Sequence, residues 1–168
     1  MSNEIVNRVA QSSLVVFDLE EIRPSGERVL LDIKDWLYEG LVLREKEFRA
    51  LVDDHDWSQY TDSFVALTCS SDAIIPVWAY MLITTRRSPF AKQVVQGDLE
   101  FLENTIFALE LDRLDLTPFT NKPTIIKGCS KVAVPANAYL MATQKLEKVA
   151  KSIMYGEACS AVPLIKRK

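Results

Sequence analysis

One histidine, five glycines and three cysteines in 168 residues exclude most of the common enzyme signatures. Gly26, Gly40, Gly97, Gly128 and Gly156 are scattered, so no glycine-rich loop forms to cradle a phosphate or a dinucleotide. No nucleophile elbow of the Gly-x-Ser-x-Gly type is present. A Cys–His dyad would have to use His55, and nothing in the pattern requires it. Basic residues are not in excess: 20 Lys and Arg against 23 Asp and Glu give a net charge of -3. That balance argues against a nucleic-acid partner. No apolar run approaches the roughly 18–20 residues of a membrane span, and the start Met1-Ser2-Asn3-Glu4 has no secretory pattern. A cytoplasmic protein with reduced thiols is therefore expected. Three cysteines without a Cys-x-x-Cys pair suit neither a disulfide framework nor a standard ferredoxin spacing.

What the chain does have is a repeat. Phe64-Val65-Ala66-Leu67-Thr68 is followed by Cys69-Ser70, a short turn, and an apolar segment from Pro76 to Leu82. About sixty residues later, Thr124-Ile125-Ile126-Lys127 is followed by Gly128-Cys129-Ser130, a turn, and Pro135 to Met141. A truncated third copy closes the chain: Ile153-Met154-Tyr155, then Gly156-Glu157-Ala158-Cys159-Ser160. Each short, β-rich run reads as a buried strand. Serine ahead of a proline and an alanine-containing apolar segment reads as the start of a helix. Strand, turn, helix, strand is the grammar of a parallel sheet.

The expected fold is a single α/β domain over residues 1–168, with a mostly parallel sheet and an N-terminal β-hairpin. The hairpin strands are Leu14 to Leu19 and Arg28 to Ile33, turning at Pro24-Ser25-Gly26. Helices are expected over residues 4–10, 43–53, 76–84, 99–111 and 135–151, the last being the longest, and a short strand over 92–95. His55, in the acidic run Asp53-Asp54-His55-Asp56, reads as a solvated residue at a helix end.

Every cysteine is followed by serine at the end of an apolar run. In a parallel sheet all three would leave the carboxyl edge, where open α/β folds place ligands. Helix N-termini close behind Cys69 and Cys129 would favour thiolate. Three thiolates suit zinc or an iron–sulfur cluster better than a hard cation. Cys69, Cys129 and Cys159 are thus the candidate metal ligands, with Asp72 as a fourth, and Ser70, Ser130 and Ser160 are candidate cofactor-binding groups. Glu157 is another source of oxygen. Tyr80 and Tyr139, equivalent in the two full copies, read as helix core.

At Cys69-Ser70-Ser71-Asp72-Ala73-Ile74-Ile75-Pro76, Lys127-Gly128-Cys129-Ser130-Lys131 and Gly156-Glu157-Ala158-Cys159-Ser160, the chain resembles a bacterial domain-of-unknown-function family. The resemblance covers the whole length, including Asp56-Trp57-Ser58-Gln59-Tyr60 and the ending from Pro163 to Lys168. It implies no particular activity; it does imply an association with iron–sulfur cluster assembly proteins. The leading expectation is an accessory protein that binds a soft metal or an iron–sulfur cluster for assembly or delivery. The alternatives are a thiol-based redox enzyme and an interaction module whose cysteines are core.

Overall fold

The computed structural model describes residues 13–87, 90–128 and 131–167. The helix expected over residues 4–10, together with Cys129 and Ser130, lies outside the described residues. In chain order the elements are β1 (Val15–Asp18), β2 (Arg28–Asp32), α1 (Glu45–Asp54), β3 (Phe64–Thr68), α2 (Val77–Arg87), β4 (Gln93–Gln96), α3 (Leu99–Asp112), β5 (Pro123–Lys127), α4 (Ala136–Leu146), β6 (Ser152–Tyr155) and β7 (Val162–Lys166). Short 3-10 turns lie at Lys34–Trp36, Trp57–Tyr60 and Thr117–Phe119. The class is mixed α/β with parallel strands, as expected, but there are two sheets, ordered β2-β3-β4 and β1-β5-β6-β7. The chain divides accordingly into two compact units, Ser25–Ile106 and Met1–Pro24 with Phe107–Lys168.

In the Ser25–Ile106 unit, β3 lies between β2 and β4 and runs parallel to both. Its side chains alternate between two cores, which is why it reads as an unbroken apolar run. Val65 and Leu67 pack with Phe48 and Val52 of α1 and with Ala79 and Ile83 of α2. Phe64 and Ala66 pack with Val95, Leu102 and Ile106. Arg28 lies over the Phe64 ring and pairs with Glu103 at 2.9 Å, their side chains only 11% and 14% exposed. Asp98 caps α3, its Oδ1 accepting from the Phe101 N–H at 2.7 Å.

In the other unit β5 lies between β1 and β6, all three parallel, and β7 closes the edge antiparallel to β6. Phe17, Leu19, Ile126 and Ile153 form its core with Ala138, Ala142 and Leu146 of α4 and with Phe107 and Leu111 of α3. Both N-terminal strands exist where the sequence puts them. Their pairing differs from a hairpin: Val15 pairs with Thr124, whereas Arg28 pairs with Phe64. Helix α4 is also shorter than expected and α3 is the longer of the two. The cause is the turn into β6: Val149 and Ala150 are drawn inward, and Ala150 is buried. The Arg167 guanidinium then donates to the freed carbonyls of Glu147 and Lys148, which suits a cation at a helix C-terminus. No helix among the described residues is long and apolar enough to cross a membrane.

Candidate functional site

Three parallel strands of the Ser25–Ile106 unit end on a common edge, and each delivers a polar group there. Asp32 ends β2, Cys69 directly follows β3, and Gln96 ends β4. Helix α2 adds Tyr80, one turn in from its start. Asp32 Oδ1 accepts from the backbone N–H of Lys34 at 3.0 Å and of Ser70 at 3.1 Å. A further hydrogen bond from the Ser70 side chain is the main reason the Asp32 carboxyl lies below its ordinary range, opposed by partial burial. Cys69 is half-buried, with its Sγ 3.3 Å from Ser71 Oγ. Beside it opens a cavity of about 330 Å³ lined by Cys69, Ala73, Ile75, Val77, Tyr80 and Gln96. Burial, then the charges of Cys69 and Asp32, push the Tyr80 phenol up, while a hydrogen bond from Gln96 works the other way.

The second unit carries the same frame with different side chains. One displacement takes Phe64 to Pro123, Gln93 to Ser152 and Tyr80 to Tyr139. It also takes the left-handed Asp62 to the left-handed Asn121, and Gly97 to Gly156, both at positive φ. The strand-end hydrogen bonds match: Gly97 N to Leu67 O at 2.9 Å, and Gly156 N to Ile126 O at 3.1 Å. The same displacement takes Cys69 to Gly128, not to Cys129, so the two Cys-Ser pairs are one residue out of step with their strands. A Cβ on Gly128 would collide with the Tyr139 hydroxyl. That phenol therefore occupies the place that a side chain at the Cys69 position takes in the first unit. Around it, Asp18 pairs with Lys127 at 3.3 Å, and Tyr155 meets Tyr139 edge-on at 5.7 Å. Burial comes first in pushing the Tyr139 phenol up, followed by Tyr155, Asp18 and Glu20.

Against models of known families, residues 3–167 match the one described as a protein of unknown function, DUF2480. The chain belongs to DUF2480. No curated protein and no solved structure matches it.

The residues singled out in this DUF2480 chain fall as follows. Cys69 is at the carboxyl edge of β2-β3-β4, and Cys159 is exposed in the turn after β6, at the carboxyl edge of the other sheet. The edge placement agrees with the sequence; a single sheet shared by all three thiols does not, because β3 belongs to a different sheet from β5 and β6. Neither Cys69 nor its sulfur is in the first turn of a helix: α2 starts at Val77, beyond the 69–76 loop. Ser70 and Asp72 are exposed in that loop, and Ser160 is exposed with its N–H donating to the Glu157 carbonyl at 2.9 Å. Glu157 Oε1 faces Lys127 Nζ at 4.0 Å. Among the described residues, no three His, Cys, Asp or Glu side chains are grouped to hold a metal; Cys129 lies outside them.

His55 is where sequence reasoning missed most. It is half-buried rather than solvated, with Nε2 2.8 Å from the Tyr60 hydroxyl and its ring stacked on Tyr60 at 5.6 Å. Trp36 and Trp57 meet it edge-on at 5.0 and 4.7 Å. Burial lowers its pKa, against the pull of Asp56. Two of the neighbouring acids, Asp53 and Asp56, are likewise engaged in structure. Asp53 pairs with Arg86 at 2.8 Å, and Asp56 caps the Trp57–Tyr60 turn by accepting from the Ser58 N–H at 3.0 Å. Three aromatic residues within reach of one histidine were the available signal in Trp57-Ser58-Gln59-Tyr60 and Trp36.

Proposed function

We propose that the protein is an accessory factor that holds a soft metal ion or an iron–sulfur cluster through Cys69, Cys129 and Cys159, for assembly or delivery. One observation supports this above the others: neither described thiol is fully buried, although Cys69 also packs against the core beneath α1 and α2. Cys69 opens on a cavity and Cys159 is exposed, each just beyond the carboxyl end of a parallel strand. Thiols kept accessible at a ligand-binding edge fit ligand chemistry better than packing. Thiolate sulfur selects soft metals and clusters, and Asp72 offers a fourth, oxygen ligand from the Cys69 loop. Ser130 and Ser160 then act as hydrogen-bond donors to the ligand, a role that Ser71 rather than Ser70 fills at Cys69, because the Ser70 side chain bonds to Asp32. On this reading the protein works in the cytoplasm, with iron–sulfur assembly proteins as its partners.

The cavity beside Cys69 favours a second reading, a thiol-based redox enzyme with one nucleophilic and one resolving cysteine. Anaerobic reconstitution with zinc, or with iron and sulfide, separates the two. The wild type retains stoichiometric metal after desalting, and Cys69→Ser, Cys129→Ser and Cys159→Ser each abolish that retention. Asp72→Ala weakens it less, because water fills a fourth position. Wild-type protein that emerges free of metal sinks the first reading; loss with only two of the three serine variants moves the assignment to the redox pair.

A further inference from the structure

We propose that the cavity walled by Cys69, Tyr80 and Gln96 is a binding site for a small uncharged molecule. Such a ligand offers a hydrogen-bond acceptor to the Tyr80 hydroxyl and a soft or electrophilic centre to the Cys69 sulfur. The site goes beyond the metal reading and does not need it. Its volume of about 330 Å³ falls at the small end of ligand sites, and it lies at the strand-end edge where open α/β sheets bind them. Ala73, Ile75 and Val77 supply an apolar wall, against which Cys69, Tyr80 and Gln96 are the polar groups. Few polar groups converging on an apolar wall is the usual make-up of a small-molecule site.

None of the lining residues carries a positive charge, and the Asp32 carboxylate is close enough to act on Tyr80. An anion entering here would be desolvated without a counter-charge and would face that carboxylate. Gln96 shares the cavity wall with Tyr80 and acts on its phenol in the direction of a hydrogen-bond donor. An amide N–H donating there leaves the phenol's own proton free to point at a ligand. The internal duplication supplies a comparison. At the matching place in the other unit the residue is Gly128, the Tyr139 hydroxyl closes over it, and Tyr155 replaces Gln96. At the Cys69 position one copy of the frame therefore carries a thiol in a cavity wall, whereas the other carries a glycine covered by a tyrosine, and the cavity of about 390 Å³ beside Tyr139 and Tyr155 has no thiol in its lining.

Competitive alkylation of metal-free protein tests this, because Cys159 is an exposed thiol in the same chain and cancels intrinsic probe reactivity. With either probe the sulfur forms an S–C bond, the C–I bond breaks, iodide leaves and the thiol proton goes to solvent. Rates for neutral iodoacetamide and anionic iodoacetate are read separately at Cys69 and Cys159 by peptide mass spectrometry. The expected ratio of neutral to anionic rate is at least about tenfold larger at Cys69, equivalent to about 1.4 kcal/mol of discrimination. Tyr80→Phe should lower the iodoacetamide rate at Cys69 several-fold while leaving Cys159 and the far-UV spectrum unchanged. Equal ratios at the two thiols, a preference for iodoacetate, labelling of Cys69 only on unfolding, or indifference to Tyr80→Phe would each overturn the proposal. Metal retention is not read, so the outcome stands apart from that of the reconstitution.

Discussion

His55 couples the stability of the aromatic cluster to pH, and the sign follows from its surroundings. Packed between Trp36, Trp57 and Tyr60, the imidazole has a folded-state pKa below the ordinary 6.5, so the folded chain favours the neutral ring. In the unfolded chain it titrates normally and takes up a proton first as pH falls. The stabilisation is therefore complete above about pH 6.5 and is lost as pH drops through the lower folded value. Urea midpoints read by tryptophan fluorescence should fall between about pH 6.5 and 5, and His55→Gln should flatten that part of the curve. Asp32, Asp56 and Asp115 have pKa values held below the ordinary 3.8 by hydrogen bonds from Ser70, Ser58 and Thr117, so their contributions are lost only in stronger acid. A profile that is flat above pH 5 in the wild type would remove His55 from the account. At the same scale, Cys69 shows what one residue's position decides. It has a cavity beside it, whereas its counterpart is a glycine under a tyrosine.

Among elements, the strands β1 to β6 and their order of appearance were legible because their apolar runs are short and bounded by turn residues, whereas β7, with Pro163 inside it and a basic end, was missed. The strand–turn–helix repeat was legible for the same reason, down to the matching prolines Pro76 and Pro135. The division into two sheets was not. It depends on β1 finding β5, with Val15 beside Thr124, and no local pattern encodes a parallel partner so far along the chain. Similarity of the Cys-Ser pairs concealed the one-residue mismatch between cysteines and strands, which only hydrogen-bond register reveals. The register makes a stability prediction at the junction of β5 and α4. Gly128→Ala places a methyl group against the Tyr139 hydroxyl and should cost about 1–3 kcal/mol, the usual range for overpacking. In a Tyr139→Phe background the colliding oxygen is gone, so the same change should cost less by at least about 0.5 kcal/mol in a double-mutant cycle. Additive effects in that cycle would mean the glycine is needed for another reason.

Over the whole molecule, α3 is an element whose residues supply one core in each unit. Leu102 and Ile106 pack with Phe64, Ala66 and Val95 of one unit, while Phe107 and Leu111, further along the same helix, pack in the core of the other. A helix is cooperative along its length, because each added turn relies on the one before it. Loss of either core should therefore loosen the turns that supply the other, and we expect residues 1–168 to unfold as one unit. The distribution of tryptophans makes this measurable. Trp36, Trp57 and Trp78 all belong to the Ser25–Ile106 unit, so their fluorescence reports that unit, while far-UV ellipticity reports both. Leu111→Ala removes a fully buried side chain from the opposite core and should cost about 2–5 kcal/mol. If the chain is cooperative, fluorescence and ellipticity midpoints in urea fall together and remain coincident, which is the test of a two-state transition. If instead the fluorescence midpoint stays at its wild-type value while the ellipticity splits into two steps, the units unfold separately. In that case the shared helix does not couple them, and the duplicated frames would be two folding units carried on one chain.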